Sequence, residues 1–444
     1  MSQKAILGLA LLFSIHCFGQ DRQETIDGVK KKNLLQTIYK VIADNYVFPD
    51  KGTAMINNLK KQMAGGTYDV IINPNEFAAA VTRDIKTIYS DKHIRITYDP
   101  KLQKDIVAFT SSKKGAAQVN YNDSLHDVKQ NFYFRKVEIF PSNIGYIEFT
   151  SFAKPNASAS KTINAVMQFV SHTDALIIDL RNNFGGNGLM ANEILSYFFR
   201  SRTFTGRSFN KIENKWNDEF IENKSSVTGG LVLNVPIYIL TSARTYSSAE
   251  GFAYTLQNLK NAIIIGDTTR GGAHLTRSFS LGDGFVAFIP YLRTENAKTK
   301  TNWEGIGVIP QVTIDESQAL MTAKKMVLTD KLAMTNDETE KKKITWLINY
   351  YQSQNSPASI SVTDYSQAIG RFAEFEIAIF DNQLMFRDTN HRTKDFKTLV
   401  PITPVLFQVE RDYQVELIKD TNGQYNSIKI FWDDGWSEVI PRNQ

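Results

Sequence analysis

A hydroxyl that could act as a nucleophile stands at Ser247, in the run Thr241-Ser-Ala-Arg-Thr-Tyr-Ser-Ser-Ala-Glu250. The apolar residues 235–240 read as a strand and the residues after 247 as a helix. The junction therefore sets the side chain at a sheet's carboxyl edge, beside helical N–H groups that lack intrahelical partners. Such donors can stabilise an oxyanion formed when the hydroxyl attacks a carbonyl. A structural reading stands beside this one, because Ser247-Ser-Ala-Glu250 also forms a Ser-x-x-Glu capping box, in which the serine merely caps the helix. As a nucleophile the serine needs a base within hydrogen-bond reach. Histidine is the side chain whose ordinary pKa suits that role near neutral pH. His126, His172 and His391 lie in polar surroundings typical of exposed side chains; His93 falls where a helical segment ends, and His274 follows Gly271-Gly-Ala273.

The elements that must position these residues are legible in the apolar spacing. Leu34, Leu35, Ile38, Val41 and Ile42 recur at helical intervals, further apolar faces fall in 55–63 and 77–88, and Pro49 and Gly65-Gly66 punctuate them, which predicts three helices. Residues 94–98 alternate like a strand. Residues 101–130 are polar and poorly periodic and read as a connecting arm. Strands at 144–149, 175–180 and 235–240 then alternate with helices near 158–171, 190–199 and 251–259, the pattern of a partly parallel sheet covered by helices. Residues 202–230 read as a polar surface excursion bordering that core. A helix at 318–328 and another near 343–351 precede a linker marked by Pro357, and from about Ile360 short alternating segments with turn signals predict a small antiparallel β domain. Its aromatics, Phe375, Phe380, Phe386, Phe396, Phe407, Phe431 and Trp432, are expected to form its core.

The 444 residues suffice for two or three domains. A formal net charge of +5, with Lys and Arg scattered, argues against a dedicated nucleic-acid surface. The start, with Lys4, a short apolar run and Gly19, reads as a signal peptide over residues 1–19, too short in its apolar part to span a bilayer comfortably. The single cysteine, Cys17, falls inside it. The mature chain would carry neither disulfides, a thiolate metal site nor a cysteine nucleophile.

Four ordered blocks carry a resemblance: Ala175-Leu-Ile-Ile-Asp-Leu-Arg-Asn-Asn-Phe-Gly-Gly-Asn187, the Ser247 run, Ile263-Ile-Ile-Gly-Asp-Thr-Thr-Arg-Gly-Gly-Ala-His274 and Trp303-Glu-Gly-Ile-Gly-Val-Ile-Pro310. Together they resemble the tail-specific, or C-terminal processing, protease family, in its tricorn-like and interphotoreceptor retinoid-binding-protein-like branch. Tyr46-Val-Phe-Pro49, Gly66-Thr-Tyr-Asp69 and Ser90-Asp-Lys-His93 are similar to the N-terminal helical domain of the retinoid-binding branch. With the elements above, the chain reads as multidomain α/β: an N-terminal helical bundle (25–98), a connecting arm (99–130), a core (131–328) that the resemblance implies is an α/β protease core of crotonase-like ββα type, a helical linker (329–359) and an antiparallel β domain (360–444), accessory because it holds none of the four blocks.

It also implies roles. The serine–lysine branch carries its lysine 25 positions after the serine, where Gly272 stands here. His93 matches the histidine of the tricorn-like branch and is the expected base, with His274 the alternative, and Glu304 matches the glutamate that orients it. Lys92 replaces the small residue often found before that histidine, and its charge could act on His93. Ser248 N–H and an amide from Gly185 or Gly186 would form the oxyanion hole, because glycines let the backbone approach a substrate closely. Arg181 and Asn182, with Asp179, are expected to brace that loop. The resulting expectation is an exported serine-type endopeptidase, periplasmic or extracellular, acting on unfolded or C-terminal protein segments through Ser247, His93 and Glu304, without metal or cofactor. The expected partner is a peptide or protein substrate, with no nucleic acid and no membrane span after signal cleavage. The alternatives are a non-catalytic binder of apolar ligands or peptides on the same fold, and an interaction scaffold working through the β domain.

Overall fold

The computed structural model describes residues 25–111, 120–223, 229–390, 395–411 and 413–443. The expected signal peptide and His391 lie outside them. The chain divides into two compact units, one of Met1–Ser90, Ile94–Ser112 and Thr276–Pro290, the other of Asp91–His93, Lys113–Leu275 and Tyr291–Gln444.

In the first unit the three expected helices are α1 (Gly28–Asn45), α2 (Pro49–Ala64) and α3 (Pro74–Lys86). Each starts where local chemistry favours it. The Asp27 carboxylate accepts from Lys30 N–H at the head of α1, Asn73 caps α3, and Pro49 and Pro74 occupy first-turn positions where no N–H is missed. Leu35, Ile38, Ile42, Met55, Leu59, Phe77, Val81 and Ile85 form the shared core. Strand β1 (Arg95–Tyr98) pairs antiparallel with residues 285–288. The polar stretch read as a connecting arm instead forms a helix over Pro100–Ser111 in this unit and one over Asn120–Lys129 in the second. The first buries none of its residues, which is why apolar spacing gave no sign of it.

The second unit is built on a six-stranded sheet. Its strands are β2 (Phe134–Phe140), β3 (Ile144–Phe149), β4 (Ala175–Asp179), β7 (Ile237–Thr241), β8 (Ile263–Gly266) and the short β9 (Val312–Thr313), in the order β9-β8-β7-β4-β3-β2. All neighbours run parallel except β2 and β3. Alternation decides which helix covers which face. Leu176, Ile178 and Ile239 join a core with α4 (Ala157–Phe169), α5 (Gly188–Ser196) and α6 (Ser248–Lys260), through Ile163, Ile194, Ala253 and Leu256. Ile177, Tyr238 and Leu240 meet Ala319, Ala323 and Val327 of α7 (Glu316–Met334) and Ile344 of α8 (Glu338–Asn355).

Residues 202–230, expected to be irregular, contain the hairpin β5 (Thr203–Asn210) and β6 (Lys215–Ile221). Its strands carry polar residues on both faces, so the alternation that marks a half-buried strand is absent. Residues 370–441 form an eight-stranded antiparallel meander. Phe375, Phe386 and Phe407 are in its core, whereas Phe380 is exposed. Among the described residues no helix is long and apolar enough to cross a membrane.

Candidate active site

At the carboxyl edge of β7 the chain turns through residues 242–247 into α6. Three bonds hold that turn to the loop after β4: Ser242 Oγ donates to Arg181 O at 2.6 Å, Thr245 Oγ1 to Leu180 O at 2.8 Å, and Tyr246 N–H to Asn183 O at 3.1 Å. Ser247 itself lies at φ 55°, ψ −120°, a conformation an L-residue adopts only when its surroundings over-determine it. Such strain gathers at functional sites. The residues also have the capping-box arrangement, and its carboxylate half is a 2.7 Å bond from Ser247 N–H to Glu250 Oε2.

Glu250 does far more than cap. Fully buried, its Oε1 accepts from Thr269 Oγ1 at 2.5 Å and Gly271 N–H at 2.6 Å, and its Oε2 accepts from Gly272 N–H at 2.9 Å as well as from Ser247. One carboxylate thus ties the strained serine to the Gly271-Gly272 segment. Burial pushes its pKa up, and the four donors pull against that without cancelling it.

Gly272 needs to be glycine for a steric reason. A Cβ there would fall 2.3 Å from the Tyr246 ring and 2.6 Å from His93 Cε1. The position that carries lysine in the serine–lysine branch is thus occupied here by the faces of these two rings, which stack with centroids 5.0 Å apart. Gly272→Ala is expected to displace His93 and lower any Ser247-dependent activity about tenfold or more, since small misplacements of reacting groups are that costly; comparing wild type and variant by steady-state kinetics on a common substrate checks it.

His93 Nδ1 is 3.9 Å from Glu304 Oε2, and both side chains are largely buried. Glu304 is fixed from several sides. Trp303 Nε1–H donates to Gly272 O at 3.0 Å, Ala273 N–H donates to Glu304 Oε2 at 2.6 Å, and Lys92 N–H donates to Oε1 at 3.3 Å. Lys92 reaches the cluster through its backbone, and its side chain is exposed. Burial raises the Glu304 pKa; His274 opposes that rise and Asp91 adds to it. His274 is itself buried, with Nδ1 2.9 Å from Asp91 Oδ2 and 3.5 Å from Glu304 Oε2. Asp91 also accepts from His93 N–H at 2.9 Å. Its pKa is lowered: burial alone would raise it, but the bonds and charge of His274 and His93 outweigh burial. Donor atoms of Asp91, His274 and Glu304 lie within 4.8 Å of one another, close enough to raise the question of a cation. Two of these atoms, His274 Nδ1 and Asp91 Oδ2, are engaged with each other at 2.9 Å.

On the other side of Ser247 lies the Gly185-Gly186 loop. The two glycines adopt φ 92° and 133°. A Cβ at 185 would sit 2.7 Å from Tyr246 O and 2.9 Å from Ser247 Cβ; one at 186 would sit 2.3 Å from Phe152 O. Ser248 Oγ donates to Gly186 O at 2.9 Å. Gly185 N–H is engaged by Asn183 Oδ1 at 2.9 Å, while Asn183 Nδ2 donates to Phe149 O. The buried brace of this loop is therefore Asn183. Asn182 Oδ1 instead accepts from Arg244, and Arg181 is held by Asp179 and donates to Glu316 O at 2.7 Å. Asn183, Glu250, Tyr246 and Asp91 are site residues that the sequence pattern does not single out, although each is adjacent to or within three positions of an expected one. His126 and His172 are exposed, as expected.

The arrangement of Ser247, Gly185, Gly186, His93 and Glu304 lies within two stretches of family likeness. Residues 143–314 match the model of peptidase family S41, and residues 29–141 match the model described as the N-terminal domain of peptidase S41 in eukaryotic IRBP. Together these cover more than half of the sequence. The chain belongs to peptidase family S41. The S41 match over 143–314 contains Ser247, Glu304 and both loop glycines, and the N-terminal match contains residues 91–93. Among curated S41-like relatives, the chloroplastic carboxyl-terminal-processing peptidase 2 of Arabidopsis thaliana is 24% identical over 39% of this chain, and a carboxyl-terminal-processing protease of Picosynechococcus sp. is 28% identical over 32% of it. Each match spans 32% of the relative's own length. Among solved structures, the photosystem II D1 C-terminal processing protease is similar over 64% of this chain and 93% of its own, at 14% identity and a TM-score of 0.43. The tricorn protease is similar over 66% of this chain and 35% of its own, at 14% identity and a TM-score of 0.39.

Proposed function

We propose that the chain is an exported serine-type peptidase that hydrolyses peptide bonds in unfolded or C-terminal protein segments, with Ser247 as nucleophile, His93 as base and Glu304 as the group that orients His93. The observation that carries this reading is the tie made by Glu250, which joins the strained Ser247 to the Gly272 backbone beside the His93 ring, while Nδ1 of that ring lies 3.9 Å from Glu304 Oε2.

Ser247 Oγ attacks the carbonyl carbon as His93 takes the hydroxyl proton. The imidazolium that forms faces Glu304, whose charge it needs. The 3.9 Å separation of Nδ1 and Oε2 shortens as that charge develops. The oxyanion is received by Ser248 N–H, which has no intrahelical partner at the start of α6. The second donor is Gly186 N–H, because Gly185 N–H is taken by Asn183. His93 then protonates the leaving amine, and water, deprotonated by the same ring, hydrolyses the acyl enzyme. Phe184, Leu189, Leu275 and Ile306 are exposed apolar side chains next to these residues in sequence and suit a substrate that offers apolar side chains in extended form.

The test is incubation of the purified chain with a reduced, unfolded protein and with peptides that have free C-termini, with fragments identified by mass spectrometry. Cleavage is expected, and Glu304→Gln is expected to lower kcat about a hundredfold or more, as loss of the orienting carboxylate does elsewhere. A folded wild-type chain that cleaves nothing would move the assignment to a non-catalytic binder of apolar ligands or peptides.

A further inference from the structure

We propose that His274, anchored by Asp91, is a positioning residue that holds Glu304 in the orientation in which it receives the imidazolium of His93. The inference rests on the peptidase reading above and assigns to His274 a role other than that of base.

Three observations carry it. His274 is buried at 2% exposure, with its Nδ1 directed at two carboxylates, 2.9 Å from Asp91 Oδ2 and 3.5 Å from Glu304 Oε2. The second of those oxygens, Glu304 Oε2, is the one that lies 3.9 Å from His93 Nδ1. Asp91 closes the ring of four, accepting from His93 N–H while it holds His274. An Nδ1 held by carboxylates would still leave Nε2 to act as a base, so what assigns that role to His93 is its ring, which lies against Tyr246 and Gly272, on the segment that Glu250 ties to Ser247.

The arrangement solves an electrostatic problem. Two carboxylates, Asp91 and Glu304, are buried within reach of one imidazole, and two such groups without a partner cannot both ionise cheaply. Burial already favours the neutral form of Glu304, and a neutral Glu304 could not stabilise the His93 imidazolium. His274 lies between them, its Nδ1 2.9 Å from one carboxylate and 3.5 Å from the other, and its interaction with Glu304 opposes the rise that burial causes there. The other charged and titratable groups around the cluster are His93, Tyr246, Glu250 and Arg270; Arg270 lies over the Tyr246 ring at 5.0 Å, and Lys92 contributes only its amide.

The sign of the effect follows. With His274 replaced by a neutral residue, Asp91 and Glu304 repel without an intervening imidazole, and Glu304 holds its proton to higher pH. The acid limb of the kcat profile should therefore move up. Removing the Asp91 charge in the same chain takes away the repulsion, and the amide oxygen of Asp91→Asn still accepts from His93 N–H.

The experiment measures kcat and KM against pH for wild type, His274→Asn and the double variant Asp91→Asn/His274→Asn, on a peptide the wild type cleaves. His274→Asn is expected to lower kcat at pH 7 about tenfold, with KM little changed and the acid limb raised by about one pH unit. The double variant is expected to recover much of the kcat and return the limb towards wild type. A His274→Asn enzyme with wild-type kcat and limb would overturn the inference. So would a loss of kcat with the limb unmoved and no recovery in the double variant, the pattern of a merely structural residue. Retained cleavage by the wild type in either case leaves the peptidase reading standing, whereas a wild type that cleaves nothing overturns both.

Discussion

Ser247→Ala is expected to lower kcat on any cleaved peptide by about a thousandfold or more, with KM near that of wild type. The size follows from the role: without the hydroxyl no acyl enzyme can form, and only binding and the oxyanion donors remain to assist direct attack by water. The substitution should leave the fold intact. The bond that anchors this residue comes from its backbone N–H to Glu250, and the turn is otherwise held by Ser242, Thr245 and Tyr246. Some strain at φ 55° remains for alanine as for serine. Steady-state kinetics and urea unfolding of the same preparations separate the two effects. A variant that lost activity only in proportion to its folded fraction would mark Ser247 as a helix cap.

Glu250→Ala should be the most damaging single change to the structure around the site. It strands four donors, Ser247 N–H, Thr269 Oγ1, Gly271 N–H and Gly272 N–H, in a place water does not reach. Each buried donor without an acceptor costs about 1–3 kcal/mol, so a loss of about 3 kcal/mol or more is expected, with Ser247 and Gly272 no longer held together. Glu250→Gln should cost less, since one oxygen remains to accept. Its penalty should also depend on pH. Burial raises the Glu250 pKa above 4.5, so the folded state binds that proton more tightly than the unfolded chain. The stability this contributes is present below the unfolded value and is lost as pH rises through the folded one. A glutamine has no proton to lose, and the stability gap between wild type and Glu250→Gln should shrink as pH rises above 4.5. Urea midpoints across that range measure it; a gap that widens with pH would contradict the assignment of burial as the dominant cause.

Much of the architecture was legible because apolar residues repeat at the period of the element they form. The three N-terminal helices, the strands at 175–179 and 237–241 and the antiparallel C-terminal segment all announce a buried face. The helix Pro100–Ser111 and the hairpin at 203–221 did not, for opposite sides of one reason: a helix with no buried residue and a two-sided polar hairpin carry no periodic apolar signal.

At the site, motif order singled out Ser247, His93, Glu304 and the glycines. The supporting contacts extend beyond the residues it marks. Position after a strand marks Arg181 and Asn182 as braces, and both tie the loop to the 242–247 turn, through Ser242 and Arg244, while the buried amide that holds Gly185 is that of Asn183. Glu250 was read as half of a local cap, and nothing in a four-residue pattern discloses that it also reaches Thr269, Gly271 and Gly272, some twenty positions on. Lys92, whose side-chain charge is the obvious feature in the sequence, enters through its amide. Long-range hydrogen bonds of single polar residues leave no trace in sequence spacing, and they are what converts a list of candidate residues into a positioned site.

The central claim is that Ser247 is an activated nucleophile whose base is His93. Labelling of the purified chain with a serine-reactive fluorophosphonate, with the adduct located by mass spectrometry in wild type, His93→Ala and His274→Ala, tests it most directly. The account predicts an adduct on Ser247 in wild type, its loss in His93→Ala, and slower labelling of the same serine in His274→Ala. Full labelling in His93→Ala, or no adduct on Ser247 in folded wild type, would contradict it.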